Sequence, residues 1–145
     1  MGHSETFSPD HNADTSWLGQ GGKLTGTTTP RLAFLRAILE AGPVPGIEPI
    51  ETWWNYHLAG KKGEYYLRYF GSARPTQWRV RLPGRAGDPP ASYRADVIDS
   101  WNMIIEPVDG VFTMEPRDAY NLHDPRRPTI ALSGKPWIAV RLTKV

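Results

Sequence analysis

From Glu64 onward the side chains alternate with a period of two, and this rhythm limits the fold more than any other feature of the chain. In "EYYLRYF", Tyr65, Leu67 and Tyr69 alternate with Tyr66, Arg68 and Phe70; in "QWRVRL", Trp78, Val80 and Leu82 alternate with Gln77, Arg79 and Arg81. Successive side chains of a strand point to opposite faces, so both segments read as strands, the second with one wet face. Further candidates are "SYRADVID", "MIIEPV", "GVFTMEP", "TIALS" and "PWIAVRL", separated by the turn clusters "PGRAGDPP", "DSWN" and "VDG". Short strands at this spacing predict a mainly β chain folded as an antiparallel β-sandwich. The irregular stretch "EPRDAYNLHDPRRP" reads as a surface loop, because its prolines and charges can neither complete a ladder nor be buried unpaired.

Upstream the pattern changes. Residues 1–29 show little apolar periodicity, and "GQGGKLTGTTTP" is too poor in hydrophobic residues to pack a core. Residues 30–42 read as a helix. Thr29 can cap it, Pro30 suits its first position, Gly42-Pro43 ends it, and Leu32, Leu35, Ile38 and Leu39 form one apolar stripe. Residues 43–63, with Pro45 and Pro49, read as an extended connector carrying Trp53 and Trp54, and residues 64–145 as the sandwich. With 145 residues in all, the chain holds one ordinary domain with its own core. No internal repeat suggests a solenoid.

Charge and composition exclude several functions. A net charge of +2 from 17 basic and 15 acidic side chains, with no long basic run, argues against a nucleic-acid partner. The absence of cysteine removes disulfides and thiolate metal sites but leaves the compartment open. No apolar run is long enough for a membrane span, and "MGHSETFSPDHNADTS" lacks the hydrophobic centre of a signal peptide, so the expectation is a soluble chain with no membrane partner.

The stretch "DVIDSWNMIIEP" brings acids, a Trp and an Asn together. Val97, Ile98, Met103, Ile104 and Ile105 read as core positions on two strands. Asp99, Ser100, Trp101 and Asn102 read as the turn between them, with Asp99 and Asn102 bonding backbone amides and Trp101 burying its ring. The sharper alternative makes Asp96 and Asp99 a general acid/base pair, but working carboxylate pairs sit on facing walls of a cleft, not on a hairpin tip. Most of the six Trp and six Tyr read as core, with Trp53, Trp54 and Tyr120, all in connectors, the candidates for an exposed sugar-stacking platform. The four histidines do not fall at metal-ligand spacings, and neither a phosphate-cradling Gly loop nor a G-x-S-x-G elbow is present, so no metal or cofactor is expected. Arg126 and Arg127 read as a solvated loop.

The run "GEYYLRYFG…QWRVRLP…YRADVIDSWNMIIEPV…GKPWIAVRLTKV" resembles domain of unknown function 5605 over Gly63 to Val145. This resemblance implies a β-sandwich at the C-terminal end of bacterial glycoside hydrolases, following an apiosidase-like (β/α)₈ barrel of the domain of unknown function 4038 kind. Upstream, "GHSETF…LGQGGKLTG…PRLAFLRAIL" is similar to the last strand, loop and helix of such a barrel. The implied place of Glu5 is the barrel mouth, as a substrate contact at most, although "GHSET" stands where the family pattern has "HGET".

A complete barrel takes about 200 residues or more, and residues 1–42 are all that precede the connector, so the chain by itself is not expected to hydrolyse a glycoside. The resemblance implies a noncatalytic accessory sandwich, as a fragment or split product, that supports a catalytic barrel. One alternative is a carbohydrate-binding module using Trp53, Trp54 and neighbouring exposed Tyr rings; another is a residual hydrolase, with Glu5 and Asp10, assembled by oligomerisation or with a partner chain. The expected partners are a hydrolase barrel, a polysaccharide, or a second copy paired through the apolar stripe of the helix.

Overall fold

The computed structural model describes residues 7–8, 23–24, 28–50 and 57–145. The chain divides into two compact units, Met1–Ile38 and Leu39–Val145. In the first, strands β1 (Phe7–Ser8) and β2 (Lys23–Leu24) pair antiparallel. Helix α1 spans Thr28–Glu40, with Pro30 in its first turn, where the missing N–H has no intrahelical acceptor to lose. The helix stops where Gly42 donates its N–H to the Leu39 carbonyl at 3.1 Å. Of the predicted apolar stripe, Ile38 is buried while Leu32, Leu35 and Leu39 are exposed.

The second unit is an antiparallel β-sandwich. Its strands in chain order are β3 (Glu48–Pro49), β4 (Leu58–Lys61), β5 (Tyr65–Tyr69), β6 (Gln77–Arg79), β7 (Leu82–Pro83), β8 (Ala91–Asp99), β9 (Ile104–Pro116), β10 (Asn121–His123), β11 (Thr129–Ala131) and β12 (Ile138–Lys144). Eight of them run in the order β3-β4-β5-β12-β8-β9-β10-β7, and β11 pairs with β6 in a second, two-stranded sheet. The C-terminal strand β12 is thus central. Val140 lies between Arg68 and Val97, and Leu142 between Tyr66 and Ala95. The stretch read as a connector over residues 43–63 supplies two strands, β3 and β4, to the edge of the larger sheet.

Strand β9 turns the sheet over on itself. Tyr93 faces Phe112 and Ala95 faces Val108, so Arg94 alone lies opposite Asp109, Gly110 and Val111. This is a β-bulge, which bends a strand and increases its twist. On both sides of the bulge β9 pairs with β8; at its far end Glu115 and Pro116 pair with β10, which also pairs with β7. The "VDG" expected as a turn between two strands is therefore the bulge inside one continuous strand, with Gly110 at φ 78° providing the bend.

The core lies between the layers and gathers Tyr66, Val80, Leu82, Tyr93, Phe112, Met114, Leu122, Ile130, Val140 and Leu142. Burying each of the larger side chains stabilises the fold by about 1.5–3 kcal/mol. Two core tyrosines also serve through their hydroxyls. Their rings meet edge to face at 5.8 Å, Gly63 donates its N–H to the Tyr66 Oη at 2.8 Å, and the Tyr93 Oη donates to the Gly63 carbonyl at 3.1 Å. The turn between β4 and β5 is thereby tied to the core, and burial raises both phenol pKa values. In the same hairpin Gly60, at φ 145°, has the Tyr65 carbonyl where a Cβ would stand.

Several core assignments need correction. Tyr65 and Tyr66 are consecutive and both buried, because Tyr65 shares the outer face of the sheet with the buried Ile98 and Ala139. Both faces of the larger sheet bury side chains. Conversely Met103, Ile104 and Ile105, expected in the core, are exposed, and so is the ring of Trp101 at 54%. Tyr69 is also exposed, whereas Trp78 packs edge to face on Phe70 at 6.1 Å.

Candidate functional site

The loop that joins β8 to β9 is organised by one carboxylate. Asp99 Oδ1 accepts the backbone N–H groups of Trp101 at 3.1 Å and Asn102 at 3.0 Å, and its Oδ2 accepts the Asn102 side-chain amide at 2.7 Å. This is the side-chain-to-backbone turn that the "DSWN" cluster predicts for Asp99, while Asn102 bonds the carboxylate rather than a backbone amide. Burial pushes the Asp99 pKa up, but the bonds from Asn102 and Trp101 and the charge of Lys135 outweigh it and leave it below the usual value. Lys135 Nζ stands 4.0 Å from Asp99 Oδ2.

The loop is anchored to the chain entering β12. The Ser100 hydroxyl donates to the Trp137 carbonyl at 2.6 Å, the Ser100 N–H reaches the same oxygen at 3.2 Å, and Trp137 donates its own N–H to the Gly71 carbonyl at 2.7 Å. Met103 at φ 60° and Trp137 at φ 65° adopt the left-handed conformation, the only non-glycine residues among those described to do so. Bulky side chains take it at a cost of about 1–3 kcal/mol each.

Beside this loop a cleft of about 270 Å³ opens between the two layers. One wall is the larger sheet, with Val97 and Asp99 from β8, Ile104 and Glu106 from β9 and Ile138 from β12; the other is the end of β11 and the segment that follows, with Ala131, Leu132, Ser133 and Lys135. Asp96 is not part of it. Three residues from Asp99 on the same strand, it points to the opposite face, where Arg141 binds its Oδ2 through Nε at 2.9 Å and Nη2 at 2.8 Å. The Asp96/Asp99 pair considered from the sequence is therefore not assembled. The two acids that do share the cleft, Asp99 and Glu106, stand on adjacent strands of one wall and are not opposed.

Of the other residues singled out from the sequence, Glu5, Asp10, Trp53 and Trp54 lie outside the described residues. Tyr120 is 69% exposed in the turn between β9 and β10, at the opposite end of β9 from the cleft. Its N–H, with that of Asn121, is held by Asp118 Oδ1 at 2.9 and 2.8 Å. Those bonds, the Tyr120 one first, lower the Asp118 pKa despite the opposing effect of desolvation. Among the described residues no group of three or more His, Asp or Glu side chains is placed to hold a metal ion.

The sequence reading missed Asp124, the buried carboxylate of "HDPRRP". Its Oδ2 accepts the Thr113 N–H at 2.8 Å, and its Oδ1 accepts the N–H groups of Arg126 at 2.8 Å and Arg127 at 2.9 Å. Arg127 in turn stacks its guanidinium over Phe112 at 4.3 Å. It is an architectural cation, packed on the core rather than solvated. The Asp-Pro pair was the available signal, since Asp before a turn commonly bonds the amides two and three residues on.

The bulge and the anchored loop lie within one matched segment: residues 54–143 match the family described as Domain of unknown function (DUF5605). The chain belongs to this family. The fold of this DUF5605 protein is also similar to part of a crystal structure described as that of "a putative glycoside hydrolase from Bacteroides vulgatus ATCC 8482", with a TM-score of 0.75 and 26% sequence identity. The match covers 87% of this chain and 25% of that one, so the DUF5605 chain spans a quarter of that protein's length. No curated protein matches it significantly.

Proposed function

We propose that the chain is a noncatalytic accessory β-sandwich of a bacterial glycoside hydrolase, whose role is to support a catalytic barrel. The observation that carries this reading is the coverage: 87% of the chain aligns with one quarter of a longer protein described as "a putative glycoside hydrolase", which leaves three quarters of that protein for other parts. The chemistry of the cleft agrees. Glycoside hydrolysis uses two carboxyl groups flanking the scissile bond, one of them often with a raised pKa so that it can donate a proton. Asp99 and Glu106 lie side by side on one wall, and Asp99 is held below its ordinary value by the turn it organises.

Assaying the purified chain against a panel of aryl glycosides tests the reading. The expected result is no release above the buffer rate. Turnover that Asp99→Asn or Glu106→Gln abolishes, in variants that keep the native circular dichroism spectrum, would show an active site in the sandwich itself and defeat the accessory role.

A further inference from the structure

We propose that the cleft between the larger sheet and the Ala131–Lys135 segment binds a single neutral sugar ring. The site goes beyond the accessory reading and does not depend on it, since a support domain with a silent cleft would still be a support domain.

The lining selects the ligand class. Val97, Ile104 and Leu132 offer apolar surface, while Asp99, Glu106, Ser133 and Lys135 offer hydrogen-bonding groups. A pyranose has the matching character, with C–H faces and a rim of hydroxyls. The volume of about 270 Å³ falls just below the range of about 300–1,000 Å³ typical of drug-sized ligands, which suits one ring better than an extended chain.

The charges narrow it further. Asp99 Oδ2 takes one short bond, from the Asn102 amide, and a carboxylate has about four acceptor positions in all. The Lys135 ammonium stands 4.0 Å from that oxygen, beyond hydrogen-bond distance, and its side chain is 60% exposed. A hydroxyl group placed between them can donate to the carboxylate and accept from the ammonium at once. An anionic ligand would gain Lys135 but face two carboxylates, and a cationic one would gain the acids but face Lys135. Neutral hydroxyls satisfy both.

Backbone strain is concentrated at the same place. Met103 and Trp137, the two left-handed non-glycine residues among those described, immediately precede Ile104 and Ile138 of the cleft wall. A turn needing that conformation for folding alone is better served by glycine or asparagine. The Ser100–Trp137 bonds join the two strained segments. Strained backbone clusters at ligand sites, where the surrounding structure holds it in place.

The test is a titration of the full chain, followed by ¹H–¹⁵N correlation spectra, with the methyl pyranosides of glucose, galactose, xylose and mannose. Concentrations up to about 50 mM are appropriate, because one small ring supplies only millimolar affinity. The expected result is saturable shifts at the amides of Ser133, Gly134 and Lys135 with at least one glycoside. Lys135→Ala and Glu106→Gln, both at exposed positions, should each weaken that binding by about fivefold or more while leaving the remaining resonances in place. No saturable shift with any of the four sugars would refute the site. So would shifts that neither variant weakens, or saturation of these amides by acetate or alanine in place of the sugars.

Discussion

Arg141 and Asp96 face each other directly across β12 and β8, and both Nε and Nη2 of the arginine reach the same carboxylate oxygen, at 2.9 and 2.8 Å. Their side chains are only 18% and 21% exposed, on an outer face that also buries Tyr65, Ile98 and Ala139. Removing one partner strands the other in a half-buried, partly desolvated place. Asp96→Ala and Arg141→Ala should each destabilise the chain by about 1–3 kcal/mol. The double variant should lose less than the sum, with a coupling of about 0.5 kcal/mol or more, as read from urea midpoints. Strict additivity would mean that the two side chains act independently.

Asp124 should be the carboxylate that most affects acid stability. Burial raises its pKa, but the N–H groups of Arg127, Thr113 and Arg126 and the charge of Arg127 more than offset this and leave it lowered. A lowered folded-state pKa means that the unfolded chain takes up the proton first. The stabilisation is therefore complete above the ordinary aspartate value of about 3.9 and is lost as pH falls through the lower folded value. Asp124→Asn keeps the shape but removes the charge. It should lower stability at neutral pH by about 1–3 kcal/mol and flatten the acid limb of a stability-against-pH curve relative to the parent chain. An unchanged acid limb would assign the acid sensitivity to Asp99 and Asp118, whose pKa values are also lowered.

At alkaline pH the sign reverses. Tyr66 and Tyr93 have pKa values raised by burial, so the unfolded chain releases these phenolic protons before the folded one does. Their contribution is intact below the ordinary tyrosine value of about 10 and falls as pH rises above it. Tyr93→Phe removes one such proton together with the bond to Gly63. The expectation is a loss of about 1 kcal/mol at pH 7 and a shallower decline above pH 10, followed by urea unfolding at each pH. Equal slopes in the two proteins would assign the alkaline limb to other groups.

The strands and the turns around them were legible because period two and the Gly, Pro and Asp clusters are local signals. What remained hidden depends on distant neighbours. Tyr65 reads as one of an alternating pair with Tyr66, yet both are buried, since coverage of the outer face by other parts of the chain leaves no mark in "EYYLRYF". Ile104 and Ile105 read as core, yet they lie on the stretch of β9 before the bulge, where both are exposed. "VDG" has the composition of a turn and acts as a bulge, because the strand after it continues on the same partner. The turn role of Asp99 was readable from "DSWN", and "HDPRRP" signalled the Asp124 bonds to Arg126 and Arg127; its bond to Thr113 depends on another strand and left no local mark.

Gly110 tests the bulge directly. It sits at φ 78°, and an added Cβ would stand 2.7 Å from the Nη1 of Arg127, the guanidinium that stacks on Phe112. Gly110→Ala therefore adds left-handed strain of about 1–2 kcal/mol and also presses on the stacked arginine. Asn tolerates the left-handed conformation but brings the same Cβ. Adding Arg127→Ala relieves the steric part alone. The expected order of urea midpoints is parent, then Gly110→Asn, then Gly110→Ala, with Gly110→Ala less harmful in an Arg127→Ala background than in the parent. Equal penalties in both backgrounds would show that conformation alone demands the glycine, and that the guanidinium yields without cost.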